Sequence, residues 1–136
     1  MQEGRRICSW LRKGCAGYTG QMRKQFKLKP EQIVPIIEGL GSCLASDQIT
    51  VDGRKVGYMY REKPDRPDDS GWRFFSGDES QEYCDSPAHF EIYNVNTIAN
   101  YDAQIIPLLA SLYPSAWVRS EGGAFEEVSP PNVAPS

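Results

Sequence analysis

A chain of 136 residues with 40% apolar and 11% aromatic content is one ordinary domain with material for a real core, which excludes a wholly disordered protein. No apolar run approaches the roughly 18–20 residues that cross a bilayer, and the basic start "ICSWLRKGCAGYTG" is broken by Arg12 and Lys13, so it lacks the apolar stretch of a secretory signal; the expectation is a soluble cytoplasmic protein. The net charge of −3 conceals an asymmetry, because residues 1–30 carry eight bases against one acid and the remainder seven bases against seventeen acids. An acidic body repels nucleic acid and attracts basic partners, while a basic arm either reaches nucleic acid or lies on the body itself.

In chain order, residues 5–29 are helix-permissive but broken by Gly14, Gly17 and Gly20, with Trp10, Leu11, Cys15, Tyr18 and Met22 at a loose 3–4 spacing. "KPEQIVPIIEGLG" reads as a short helix, with Pro30 at its first position, Pro35 limiting its length and Gly39 or Gly41 as its stop. From Ser42 the pattern turns to short strands. "CLASDQITVDG" reads as a strand ending at the hairpin-forming pair Asp52-Gly53, and "KVGYMYREK" as the next. "PDRPDDSG" is a turn-rich loop and "WRFFS" a strand on which Trp72 and Phe74 share one face and Arg73 and Phe75 the other. "DESQEYCDSPAHF" is polar, with room for a helical turn or two before Pro87. "EIYNVNTIANYD" reads as a strand running into a loop, "DAQIIPLLASL" as a short helix capped by Asp102, and "SAWVRSEGGAFEEV" as a hairpin turning at Gly122-Gly123. The expected architecture is α+β: an antiparallel sheet of about four to six strands with two or three short helices. The expected organisation is a basic N-terminal helical extension over 1–41, the α+β domain over 42–128, and a Pro-rich tail over 129–136.

Little catalytic chemistry is supplied. The cysteines at 8, 15, 43 and 84 include no CxxC pair, so they read as free thiols, with a Cys8–Cys15 bridge reserved for an oxidising compartment. The one histidine, His89, lies five residues from Cys84, but no nucleophile elbow accompanies it. "DESQEYCD" lacks the glycine and spacing of a calcium loop, and no phosphate-binding glycine motif sits between a strand and a helix. No metal or cofactor is expected. Carboxylates are plentiful at 68, 69, 78, 79, 82 and 85, so a small carboxylate-dependent hydrolase stays an alternative if they converge. A second alternative is a regulatory module whose basic arm meets nucleic acid. Aromatic residues beside a run of acids are also the composition of a protein interface. On that reading Trp72 and Tyr83 are anchors, and Asp78, Glu79, Glu82 and Asp85 steer a partner with a basic surface; core packing is the plain alternative for Trp72.

Three stretches carry a resemblance: "SDQITVDGRKVGYMYREKP", "DSGWRFFSGDESQEYCD" and "YNVNTIANYDAQIIPLL". Together they make residues of about 43–128 similar to a small bacterial domain placed among polymorphic-toxin immunity proteins, the immunity protein thirty-three-like domain. The resemblance implies a non-enzymatic protein that binds a cognate toxin, often one delivered by a contact-dependent secretion system, and blocks its activity. It supplies no catalytic residues. The matched Gly71, Trp72, Gly77, Asp78, Asn96, Asn100, Tyr101 and Asp102 serve equally well as determinants of the fold.

Overall fold

The computed structural model describes residues 24–131. The helical expectation for residues 5–23, Cys8 and Cys15, and the end of the Pro-rich tail lie outside the described residues.

Six strands form one sheet: β1 (Ser42–Ser46), β2 (Tyr58–Arg61), β3 (Asp69–Phe75), β4 (Phe90–Asn94), β5 (Ser115–Arg119) and β6 (Phe125–Val128), in the order β4-β1-β3-β2-β5-β6. Among the described residues three short α-helices accompany them, α1 (Asp47–Thr50), α2 (Gln81–Cys84) and α3 (Val95–Tyr101), with 3₁₀ turns at Pro30–Gln32, Pro87–His89 and Ala103–Leu108. The α+β expectation holds, and the sheet is mostly antiparallel. The departure is at its centre, where β1 and β3 run parallel, Leu44 opposite Arg73 and Ala45 opposite Phe74.

Local chemistry explains where elements stop. The strand expected to reach Asp52-Gly53 ends at Ser46, because the Ser46 hydroxyl accepts the Gln48 N–H at 3.1 Å and opens α1 as its N-cap. Asp52-Gly53 closes that helix instead of turning a hairpin, with Gly53 N–H donating to the Ile49 carbonyl at 3.1 Å. Similarly, Asn94 accepts the Asn96 N–H at 2.9 Å, so "NVNTIANY" becomes α3 and not a loop. Asp102 does cap the segment after it, accepting from Gln104 N–H at 3.1 Å. "KPEQIVPIIEGLG" forms only a 3₁₀ turn before running on without regular structure, since Pro35 removes a donor that a longer helix would need.

The two faces of the sheet carry separate cores. Trp72, Phe74, Met59 and Cys43 pack with Ile98 of α3 and Ile105 on one face. Phe75, Tyr58, Tyr60, Leu44 and Phe90 build the other. The period-2 reading of β3 therefore holds, and Phe75 does point away from the Trp72 cluster. Gly71 is required where it stands: its φ is +88°, and a Cβ there would lie 2.2 Å from the Glu62 carbonyl oxygen. Arg73 is the surprise of this strand. It is 6% exposed, and its guanidinium reaches Asp69 through two bonds of 2.9 and 3.0 Å and Glu62 through one of 2.7 Å. Burial alone would raise the Asp69 carboxyl, but Arg73 and the N–H groups of Gly71 and Asp65 outweigh it and hold that carboxyl below its ordinary value.

Cys43 is a free, buried thiol whose burial pushes its titration well above the ordinary range, so it is inert. Cys84 is disulfide-bonded, which corrects the expectation of a free thiol there. No helix among the described residues is long and apolar enough to cross a membrane.

Candidate partner-binding surface

The acidic stretch after β3 is built from a turn and a cap. The chain turns at Ser76-Gly77, with Gly77 at φ +99°. Glu79 fixes that turn. One carboxylate oxygen accepts the Ser76 N–H at 2.8 Å and the other accepts the Gly77 N–H at 3.0 Å. Its charge is spent on the loop's own backbone, so Glu79 shapes the surface more than it presents charge. Ser76 ties the turn to the body by bonding Gln48 of α1. Ser80 then caps α2, its hydroxyl accepting the Tyr83 N–H at 3.0 Å.

The other candidates separate clearly. Asp78 stands out from the turn with its side chain 71% exposed, and pairs with the half-exposed Arg54 at 2.7 Å. Glu82 and Asp85 are exposed on and beside α2, and Asp85 accepts from the Gln81 side-chain amide at 2.9 Å. Tyr83 is half-buried: it stacks on His89 at 3.9 Å between ring centroids and meets Phe90 edge-on at 6.1 Å. Burial is the main reason its phenol is pushed up to about 12. Trp72 is corrected. It is 0% exposed, its indole N–H points to the Leu109 carbonyl at 3.4 Å, and its ring stacks with Phe74. With no surface to offer a partner, it is a core residue.

Among the described residues, the contacts of His89 are with the Tyr83 ring and the Tyr83 backbone carbonyl. Its Nδ1 lies 2.9 Å from the Tyr83 carbonyl, which can only accept, so that nitrogen carries the proton of this bond. Among the described residues no group of three or more His, Cys, Asp or Glu side chains is placed to hold a metal ion.

A second constellation lies in "NTIANYD", where the expected loop gives way to a helix that carries a clamp. Val95, Ile98 and Ala99 turn the inner face of α3 into the core. Asn96 and Asn100, one turn apart on another face, hold the backbone of residues 34–37, which bends at Ile36-Ile37. Asn96 Oδ1 accepts from Ile36 N–H at 2.7 Å and Ile37 N–H at 3.1 Å, and its amide donates to the Val34 carbonyl at 3.0 Å. Asn100 Oδ1 accepts from Val34 N–H at 3.0 Å and its amide donates to the same carbonyl at 2.8 Å. The Tyr101 hydroxyl accepts from Leu28 N–H at 3.0 Å and donates to the Thr50 carbonyl at 3.1 Å. Asp102, 1% exposed, receives Val56 N–H at 3.0 Å and the guanidinium of Arg119. The basic arm also touches the acidic body where it is described: Lys24 pairs with Asp47 at 3.0 Å.

The family model described as "Immunity protein Imm33 domain" matches residues 43–129, well over half of the chain. The chain belongs to the Imm33 immunity-protein family. No curated protein and no solved structure matches it. An immunity protein domain implies a toxin as its partner, and the Imm33 match encloses both the acidic surface and the asparagine clamp.

Proposed function

We propose that this Imm33 protein acts by binding a cognate bacterial toxin and covering its active site or substrate-binding surface, without catalysis of its own. The observation that carries the reading is the division of labour in residues 71–85 of an immunity-family chain. Trp72 and Glu79 build the scaffold, whereas Asp78, Glu82 and Asp85 put carboxylates into solvent around the Tyr83 edge. Such a surface suits a toxin with a basic groove, a nuclease that grips phosphates being the simplest case. The acids steer the encounter and Tyr83 supplies the aromatic contact.

The test is charge reversal. Asp78→Lys, Glu82→Lys and Asp85→Lys together should lower the association rate for the purified toxin about 10–100-fold at low salt and flatten its salt dependence. The exposed Arg54–Asp78 pair contributes little to folding, whereas Asp85 also accepts from Gln81, so melting the variant beside the wild type separates a lost interface from a lost fold. Unchanged affinity and unchanged salt dependence would place the interface elsewhere.

A further inference from the structure

We infer that residues 34–36 form a preorganised apolar ridge that inserts into an apolar, basic-rimmed cleft of the toxin. The inference rests on the immunity reading but concerns a different surface. Val34 is 51% exposed and Ile36 46% exposed, with Pro35 exposed between them. Three consecutive apolar residues facing water are unusual on a small soluble domain. They are not loosely held. Ile37 and Leu40 pack against the core cluster, and the Asn96–Asn100 pair makes five hydrogen bonds to the backbone of residues 34, 36 and 37. The segment is therefore ordered before any partner arrives, which removes much of the entropic cost of docking it.

The same bonds define how it is read. The N–H groups of Val34, Ile36 and Ile37 and the carbonyl of Val34 are all engaged by the clamp, and Pro35 has no N–H. Those groups are not on offer to an added strand, so recognition goes through the side chains at 34–36 and not through β-addition. Exposed Glu31 and Glu38 bracket the ridge. An apolar cleft with Lys or Arg at its rim complements that pattern. A second copy of the chain does not, because a two-fold contact through the ridge would bring carboxylates against carboxylates.

The experiment uses the full chain and its purified cognate toxin domain, with binding kinetics as the readout. Val34→Asp with Ile36→Asp should weaken binding at least 30-fold, mainly through faster dissociation, with an unchanged melting temperature because both side chains are exposed. Glu31→Lys with Glu38→Lys should slow association. Asn96→Ala with Asn100→Ala keeps the ridge side chains but frees their backbone, and should weaken binding about tenfold. If the aspartate variant binds like the wild type while the Asp78, Glu82 and Asp85 reversal loses affinity, the ridge is wrong and the acidic surface stands. If the wild-type chain does not bind the toxin at all, the immunity reading falls and the ridge with it. A concentration-dependent dimer that the aspartate variant abolishes would make a second copy the occupant and overturn the toxin assignment.

Discussion

Replacing Asp69 by alanine should be among the most damaging single changes in this protein. The carboxylate's side chain is 9% exposed and that of Arg73 8% exposed, so neither charge has water to fall back on. Asp69 accepts two of the bonds of Arg73, and it also accepts the Gly71 N–H at 2.9 Å and the Asp65 N–H at 3.0 Å. Alanine leaves the guanidinium with Glu62, itself partly exposed, and with the Trp72 carbonyl at 3.2 Å. Breaking one side of a buried, hydrogen-bonded ion pair costs about 3–5 kcal/mol, from a total of about 5–15 kcal/mol for a domain of this size. Melting should fall by roughly 10–20 °C. The double variant Asp69→Ala, Arg73→Met removes the orphaned cation and should recover about half of the loss. Urea unfolding of the wild type, both single variants and the double variant gives the coupling directly. A loss under about 1 kcal/mol for Asp69→Ala would refute the reasoning. A double variant no better than the single would assign the loss to the stranded N–H groups of Gly71 and Asp65 and not to the cation.

The same carboxyl sets an acid limit. Its folded value lies below the ordinary one, so the stability it contributes is complete above about pH 4 and is lost as pH falls through the folded value; stability measured from pH 6 down to pH 2 should fall on that limb, and Asp69→Asn should flatten it. Gly71→Ala should cost at least about 3 kcal/mol, combining a φ of +88° with a Cβ 2.2 Å from the Glu62 carbonyl oxygen; denaturant unfolding reads it, and a neutral result would mean that β2 and β3 can separate there. Glu79→Ala should cost about 1–2 kcal/mol and raise amide hydrogen exchange specifically at Ser76 and Gly77, while exchange in β3 stays slow.

Periodicity made the strands legible, and it made the two faces of β3 legible as well. Gly122-Gly123 marked its turn for a local reason, since few other residues accept the backbone such a turn needs. What escaped was contact at long range. The parallel pairing of β1 with β3 depends on β2 arriving from the far side of β3, and no local pattern encodes that order. Helix α1 is four residues long, too short for any period to show. Arg73 in a strand of aromatics reads as a solvent-facing charge. Its one clue was Asp69 four residues earlier, on the same face of a strand. The clamp was hidden because its two sides lie about sixty residues apart, and the backbone of 34–37 meets Asn96 and Asn100 only in the folded chain. For Trp72 the sequence left two readings, partner anchor and core, because strand alternation says which residues share a face and not whether that face is covered; its full burial selects the core.

The clamp has a consequence for how the surface can change. All five of its bonds to the held segment go to backbone N–H and C=O groups, and none to a side chain at 34, 35 or 36. Asn96 and Asn100 fall inside the Imm33 match, whereas residues 34–36 fall outside it. In this chain the matched domain thus supplies the holder, and the held segment supplies the side chains that face outward. Stability and surface identity are separable here. Val34→Ala, Ile36→Thr or both should shift folding stability by no more than about 0.5 kcal/mol, as for other exposed positions. Asn96→Ala or Asn100→Ala should cost about 1–2 kcal/mol each, because each strands backbone groups at 34–37. Hydrogen exchange of the Val34, Ile36 and Ile37 amides separates the cases: the Val34 and Ile36 variants should leave the remaining clamped amides protected, and the asparagine variants should expose them. If changing Val34 and Ile36 destabilises the domain as much as removing the asparagines does, the segment is held by its side chains, and its sequence is not free to vary with the partner.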